Sequence, residues 1–202
     1  GYLVDEYRNS ISLGELVHDT VMEILAYEFP SVDASAVASE RRRHATFAQS
    51  RRTAYVPNPE YLSAIKSYID TGTSPLIVTG PSGSGKSSLV SYWAEGYRRR
   101  HPDRFVVEHY VAVGQGGDQE SILNHLLNEC REYFGSDTRT PSRREEMARM
   151  VLSQLSRNDA LAVIVIDGLD QLSDDDSTLE WLPVALPASL RVILTTADDT
   201  SS

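Results

Sequence analysis

Four short apolar runs set the rhythm of this chain: Pro75–Thr79, Phe105–Val113, Leu161–Ile166 and Leu190–Thr195. Each is rich in branched residues and continuous instead of alternating, the pattern of strands buried on both faces. Between them the apolar positions fall at helical spacing. Leu89, Val90, Trp93 and Tyr97 mark one helix after the first run. Further helices are predicted at about 118–134 and 141–157, the second with Thr140-Pro141 as cap and first turn. Strands that alternate with helices imply a parallel sheet covered on both sides, so the predicted fold is a three-layer α/β/α core with a mostly parallel sheet.

Ahead of the first run the pattern is purely helical. Leu13, Leu16, Val17, Val21, Ile24 and Leu25 fit one helix face that ends near Pro30. A stretch from about Ala34 to Thr53 is rich in Ala and Arg, with Val37 and Phe47 as its few apolar anchors, and reads as a surface or bridging helix. The break Tyr55-Val56-Pro57-Asn58-Pro59 comes next. Asn58 can cap a new helix with Pro59 in its first turn, and Tyr61, Leu62, Ile65, Tyr68 and Ile69 share one side of it. The domain expectation is a helical extension or linker over 1–53 and a core over 54–202. The start at Gly1 and a stop soon after a strand suggest an excised fragment.

At 202 residues the chain can bury a substantial core. Its net charge of −10 argues against a general nucleic-acid surface. The basic runs Arg41–Arg43, Arg51–Arg52 and Arg98–Arg100 read as solvated helix faces. The single cysteine, Cys130, excludes an internal disulfide framework, and it lies on an apolar helix face with Leu123, Leu126 and Leu127. No stretch reaches membrane-spanning length and no signal-peptide pattern opens the chain. A cytoplasmic setting is the default expectation. His18, His44, His101, His109 and His125 show no metal-ligand spacing and read as surface or satisfied histidines.

Chemistry concentrates at Gly80-Pro81-Ser82-Gly83-Ser84-Gly85-Lys86-Ser87-Ser88. Gly80-x-x-x-x-Gly85-Lys86-Ser87 is a complete Walker A phosphate loop. Its glycines let successive amide N–H groups turn inward onto phosphate oxygens, and the helix behind adds the positive end of its dipole. Lys86 can reach the β- and γ-phosphates, and the Ser87 hydroxyl can ligate Mg²⁺. A chance match arises at a rate on the order of one in a hundred for a chain this long. Strand before and helix after are the context the motif requires. Gly114-Gln115-Gly116-Gly117, by contrast, lacks Lys-Ser/Thr and reads as a flexible connection.

The buried run Leu161–Ile166 ends in Asp167-Gly168-Leu169-Asp170. A carboxylate there sits at the carboxyl edge of the sheet, where open α/β sheets bind ligands. This is the Walker B arrangement, with Asp167 holding the Mg²⁺ shell opposite Ser87. Asp170 either positions the attacking water or is an exposed loop acid. Gln171 is a weaker candidate for the same task, and Asp174, Asp175 and Asp176 read as solvated loop. Thr195 either senses the γ-phosphate or simply ends a strand by β-propensity.

These residues resemble the NACHT group of STAND-class signalling NTPases, closest in flavour to the nephrocystin-like and WD-repeat-linked members. The likeness rests on Val163-Ile164-Val165-Ile166-Asp167-Gly168-Leu169-Asp170, on the phosphate loop with its flanks, on Phe105–Val111, and on Trp181–Thr195. It implies an ATP/ADP-dependent switch with Mg²⁺, GTP remaining open. Flanking sensor and effector domains would belong to the same chain, and activation would bring homo-oligomerisation. By resemblance, Tyr55 and Val56 meet the adenine through their backbone. Pro57-Asn58 stands where many relatives carry Gly-Arg, and Ala197 stands where many carry a sensor arginine. The expected reaction is attack of water on the γ-phosphate, slow in isolation because the lid and winged-helix parts are missing. A non-hydrolysing scaffold and a small-molecule P-loop kinase are the alternatives.

Overall fold

The computed structural model describes residues 31–113, 117–135, 140–156, 160–173 and 179–198, with side chains from residue 36 onward. The helix expected to end near Pro30, His18, most of the Gly114–Gly117 connection and Asp174–Asp176 lie outside these residues. The chain divides into two compact units, 1–40 and 41–202, and the second holds the whole sheet. In order come α1 (Ser31–Arg52), α2 (Pro59–Thr71), β1 (Leu76–Gly80), α3 (Lys86–Arg100), β2 (Val106–Tyr110), α4 (Gln119–Phe134), α5 (Arg144–Ser156), β3 (Ala162–Asp167) and β4 (Leu190–Ala197).

The four strands pair in parallel in the order β1-β4-β3-β2. The pleat sends alternate residues of β3 to opposite faces. Val163 and Val165 join Ile65, Leu89, Val90 and Trp93 under α2 and α3. Ala162, Ile164 and Ile166 join Leu123, Leu126, Cys130 and Val151 under α4 and α5. Every residue of β3 is buried. The chain therefore has the three-layer α/β/α P-loop NTPase fold, and Cys130 packs in its core.

Local signals explain most boundaries. Asn58 caps α2 through a bond from Glu60 N–H at 2.9 Å, with Pro59 in the first turn. Asp118 caps α4 by accepting from Ser121 N–H at 2.8 Å. Two expectations move. β2 ends at Tyr110, because Val113 N–H turns back to Tyr110 O at 3.0 Å. α5 begins at Arg144 instead of Pro141, and the Thr140 hydroxyl accepts from Arg131 Nη1 at 2.7 Å.

The second half of α1 corrects a larger expectation. Its anchors are His44 and Ala48, both buried, not only Phe47. Ser91 Oγ of α3 donates to Ala48 O at 2.9 Å, and His44 Nδ1 accepts from Tyr110 N–H at 3.2 Å. The basic runs keep solvated positions, but some of their arginines are paired. Arg41 pairs with Glu129 at 2.7 Å and Glu132 at 2.6 Å, and Arg98 pairs with buried Glu108 at 2.8 Å. Arg98 Nη2 also donates to Val106 O at 3.3 Å. Such pairs look like surface charge in sequence because their partners lie up to ninety residues away.

Between α2 and β4 a tyrosine stands in for a missing strand residue. β1 begins at Leu76, opposite Ile193, so Val192 has no strand neighbour on that side. The Tyr68 hydroxyl donates to Val192 O at 2.8 Å and accepts from Val192 N–H at 3.0 Å. Tyr68→Phe leaves both groups unpaired. The expected loss is about 1–3 kcal/mol, or a melting temperature lower by several degrees in thermal unfolding followed by circular dichroism. An unchanged melting temperature would mean that water replaces the hydroxyl at no cost.

Candidate nucleotide site

The phosphate loop links the end of β1 to the first turn of α3. Pro81 O accepts from Ser84 N–H at 3.1 Å, closing a turn at the loop's crown around Ser82 and Gly83. Gly85 stands at the N-cap of α3 with φ 94°, a left-handed conformation that only glycine takes easily. No side chain caps this helix, so its leading amides, those of Lys86, Ser87 and Ser88, keep their capacity for an anion, and Leu89 N–H makes the first helical bond, to Gly85 O at 2.8 Å. Lys86 Nζ lies in the loop's mouth, donating to Gly80 O at 2.6 Å and Pro81 O at 2.9 Å.

Asp167 is the last residue of β3 and is 3 % exposed. Burial pushes its carboxyl up from the usual range. Hydrogen bonds from Thr195 and Ser87 and the positive charge of Arg51 oppose that shift, and Asp170 adds to it. The structure thus brings Ser87 and Asp167 into contact, the two oxygens that would share a Mg²⁺. Arg51, read from sequence as solvated surface, lies with its guanidinium 4.5 Å from the Phe47 ring centroid and acts on this corner.

Two ties join the tip of β3 to the tip of β4. The Thr195 hydroxyl donates to Asp167 Oδ1 at 2.6 Å and accepts from Gly168 N–H at 2.9 Å. Asp170 Oδ1 accepts from Ala197 N–H at 2.8 Å. Gly168 makes the first tie possible. Its φ is 88°, and a Cβ there would meet Gln171 Nε2 at 2.5 Å. Thr195 is 1 % exposed and hydrogen-bonded to Asp167, whereas Asp170 lies exposed on a 3₁₀ turn (Leu169–Gln171). These ties were invisible in sequence: they need the β3–β4 register, which places Ile166 beside Leu194.

A groove of about 560 Å³ runs from the loop along β1 to α2. Tyr55, Val56, Asn58, Tyr61, Ile77 and Leu89 are among its walls, together with Pro81, Ser84 and Lys86. Tyr55 packs against Tyr92 with ring centroids 5.5 Å apart, and Val56 is 85 % exposed. The site therefore combines an anion cradle, a buried carboxylate–hydroxyl corner and an apolar trough long enough for a base. No helix among the described residues is long and apolar enough to cross a membrane.

Several known proteins are similar to this chain. A TPR repeat-containing protein of Dictyostelium discoideum is 22% identical over 94% of this chain, and mouse nephrocystin-3 is 31% identical over 59% of it. The chain spans only 16% and 10% of the lengths of these two relatives. Among solved structures, the Aeropyrum pernix ORC1 protein, determined in complex with DNA, superposes with a TM-score of 0.50 at 13% identity. That match covers 71% of this chain and 40% of the other, and it shows a shared fold. The AAA domain family AAA_22 matches residues 69–198, which hold the phosphate loop, Asp167 and Thr195 alike. A match over that span, on this fold and around this loop, makes the chain a member of the AAA domain family, with a P-loop nucleotide-binding domain.

Proposed function

We propose that the chain is the ATP-binding, slowly hydrolysing switch domain of a larger multidomain protein of the NACHT/STAND type. Its nucleotide state would control homo-oligomerisation, in a cytoplasmic setting. The observation that carries this reading is the pair of ties between Asp167, Asp170 and β4. A Mg²⁺ ion held by Ser87 and Asp167 would draw on Thr195 and hence on the β4 tip. The presence or loss of a γ-phosphate is then felt by the chain beyond Ala197. A likeness to nephrocystin-3 at 31% identity supports the family reading.

In this reading Lys86 leaves the loop carbonyls and stabilises the β- and γ-phosphate charge, while the amides of Gly83 and of residues 85–88 hold the phosphates. The base, adenine or guanine, lies in the trough beside Tyr55 and Val56. Asp170 positions the attacking water. Such catalysis is positioning and charge stabilisation, so a loosely assembled site binds well and turns over slowly. The non-hydrolysing scaffold has one observation in its favour: the Asp170 carboxylate already serves the Ala197 N–H.

Two substitutions test these assignments in the full-length parent protein. Lys86→Ala should weaken ATP affinity by about a hundredfold or more, read by calorimetry. Affinity equal to wild type would remove the phosphate-site assignment. Asp170→Asn should keep nucleotide affinity within about threefold and lower steady-state hydrolysis by roughly 10²-fold or more. If turnover is unchanged, Asp170 has only its strand-tying role.

A further inference from the structure

Away from the phosphate loop three imidazoles meet in the interior: His44 from α1, His109 from β2 and His125 from α4. They are 4 %, 1 % and 3 % exposed. Their ring centroids lie 4.3 to 5.2 Å apart, and one nitrogen of each ring falls within 4.8 Å of the others. The surface half of the sequence expectation, surface or satisfied histidines, does not hold for these three: all are buried. Spacings of sixty-five and sixteen residues hide a cluster that only the fold assembles.

The cluster is incomplete as a hydrogen-bonded group. Nδ1 of His109 and Nδ1 of His125 stand 3.1 Å apart, so one donates to the other. His44 Nδ1 accepts from Tyr110 N–H, which leaves the His44 proton on Nε2. That Nε2 is buried and has no partner. Natural interiors rarely leave such a group unsatisfied. Interiors also rarely gather three histidines where leucines would pack.

We propose that His44, His109 and His125 form a three-imidazole site for a borderline divalent transition metal, Zn²⁺ foremost, which pins α1 and α4 to β2. The Nδ1–Nδ1 separation is close to the roughly 3.3 Å edge of a tetrahedron with metal–nitrogen bonds of about 2.05 Å. Hard cations prefer oxygen, whereas nitrogen sets without thiolate suit Zn²⁺, Cu²⁺, Ni²⁺ or Co²⁺. Glu129 supplies the outer shell. Its Oε1 lies 3.7 Å from His125 Nε2 and is held by Arg41 Nε at 2.7 Å. A negative charge at that distance favours the His125 proton on Nε2, which would turn its Nδ1 lone pair toward the cluster. Beside the rings a groove of about 260 Å³, walled by Arg41, Ala45, Ala48 and Glu129, has room for a water as fourth ligand.

The protons balance without a co-reactant. His125 already presents a lone pair. His109 moves its proton from Nδ1 to Nε2. His44 moves its proton from Nε2 to Nδ1 with a small turn of the ring, and gives up the bond from Tyr110 N–H. No proton leaves the three neutral rings.

The test is a titration of the full chain, stripped of metal, with Co²⁺ and then Zn²⁺. The expected result is one equivalent of Co²⁺ with the visible d–d absorption of a low-coordinate nitrogen site, bleached stoichiometrically by Zn²⁺. His109→Gln and His125→Gln should each abolish the spectrum. Glu129→Gln, which keeps all three rings, should weaken Co²⁺ binding by about 10- to 100-fold. Asp167→Asn should leave it unchanged. A colourless titration, as for a cluster that holds only water, overturns the proposal. So does a spectrum that survives in both histidine variants, or one that disappears in Asp167→Asn and so belongs to the phosphate loop.

Discussion

Burial of β3 on both faces is the constraint on which the rest of this domain depends. Its side chains alternate between the layer of α2 and α3 and the layer of α4 and α5, and none reaches solvent. A strand gripped in this way has no freedom to slip, because a shift of one residue would exchange the two faces. Both layers of this sheet prefer branched residues, so the register is held by volume as well as by the ladder. The first residue past the grip is Asp167, and its position is as fixed as that of the core behind it. A buried carboxylate needs such a frame, since burial disfavours its charge and only nearby donors offset the penalty.

Those donors make the site cooperative. Thr195 cannot serve Asp167 unless β4 lies beside β3, and Gly168 cannot serve Thr195 unless the chain turns left-handed immediately after the strand. One hydroxyl thus reports on the pairing of two strands and the shape of one turn. The phosphate loop is built on a different logic. It uses backbone amides on a helix start with no side-chain cap, so its affinity for anions survives many side-chain changes. The nucleotide would bridge these two devices, one tolerant and one exacting.

The phosphate loop, Asp167 and the four strands were legible in the sequence because each is a local pattern: continuous branched runs, a fixed glycine spacing, an acid at a strand end. The N-terminal caps at Asn58 and Asp118 involve neighbours two or three residues away, and that of Asn58 was readable for that reason. What could not be read are the contacts made by register and by helix docking. Thr195 read either as a γ-phosphate sensor or as a strand-ending β-former, Arg41 and Arg98 as solvated charge, and His44 as a surface or satisfied histidine. Each has a partner from another segment of the fold.

The docking of α1 has a consequence for one margin of the sheet. β2 is one of its two edge strands, and its Val106 carbonyl and Tyr110 amide point away from the sheet. Arg98 occupies the first and His44 the second. An open strand margin of this kind is a template for pairing with another molecule. Half of a helix that looked like a connector therefore covers part of that margin. A fragment trimmed to begin at residue 54 would keep the phosphate loop, Asp167 and Thr195, and would uncover the Tyr110 amide and lose Arg51 beside the site.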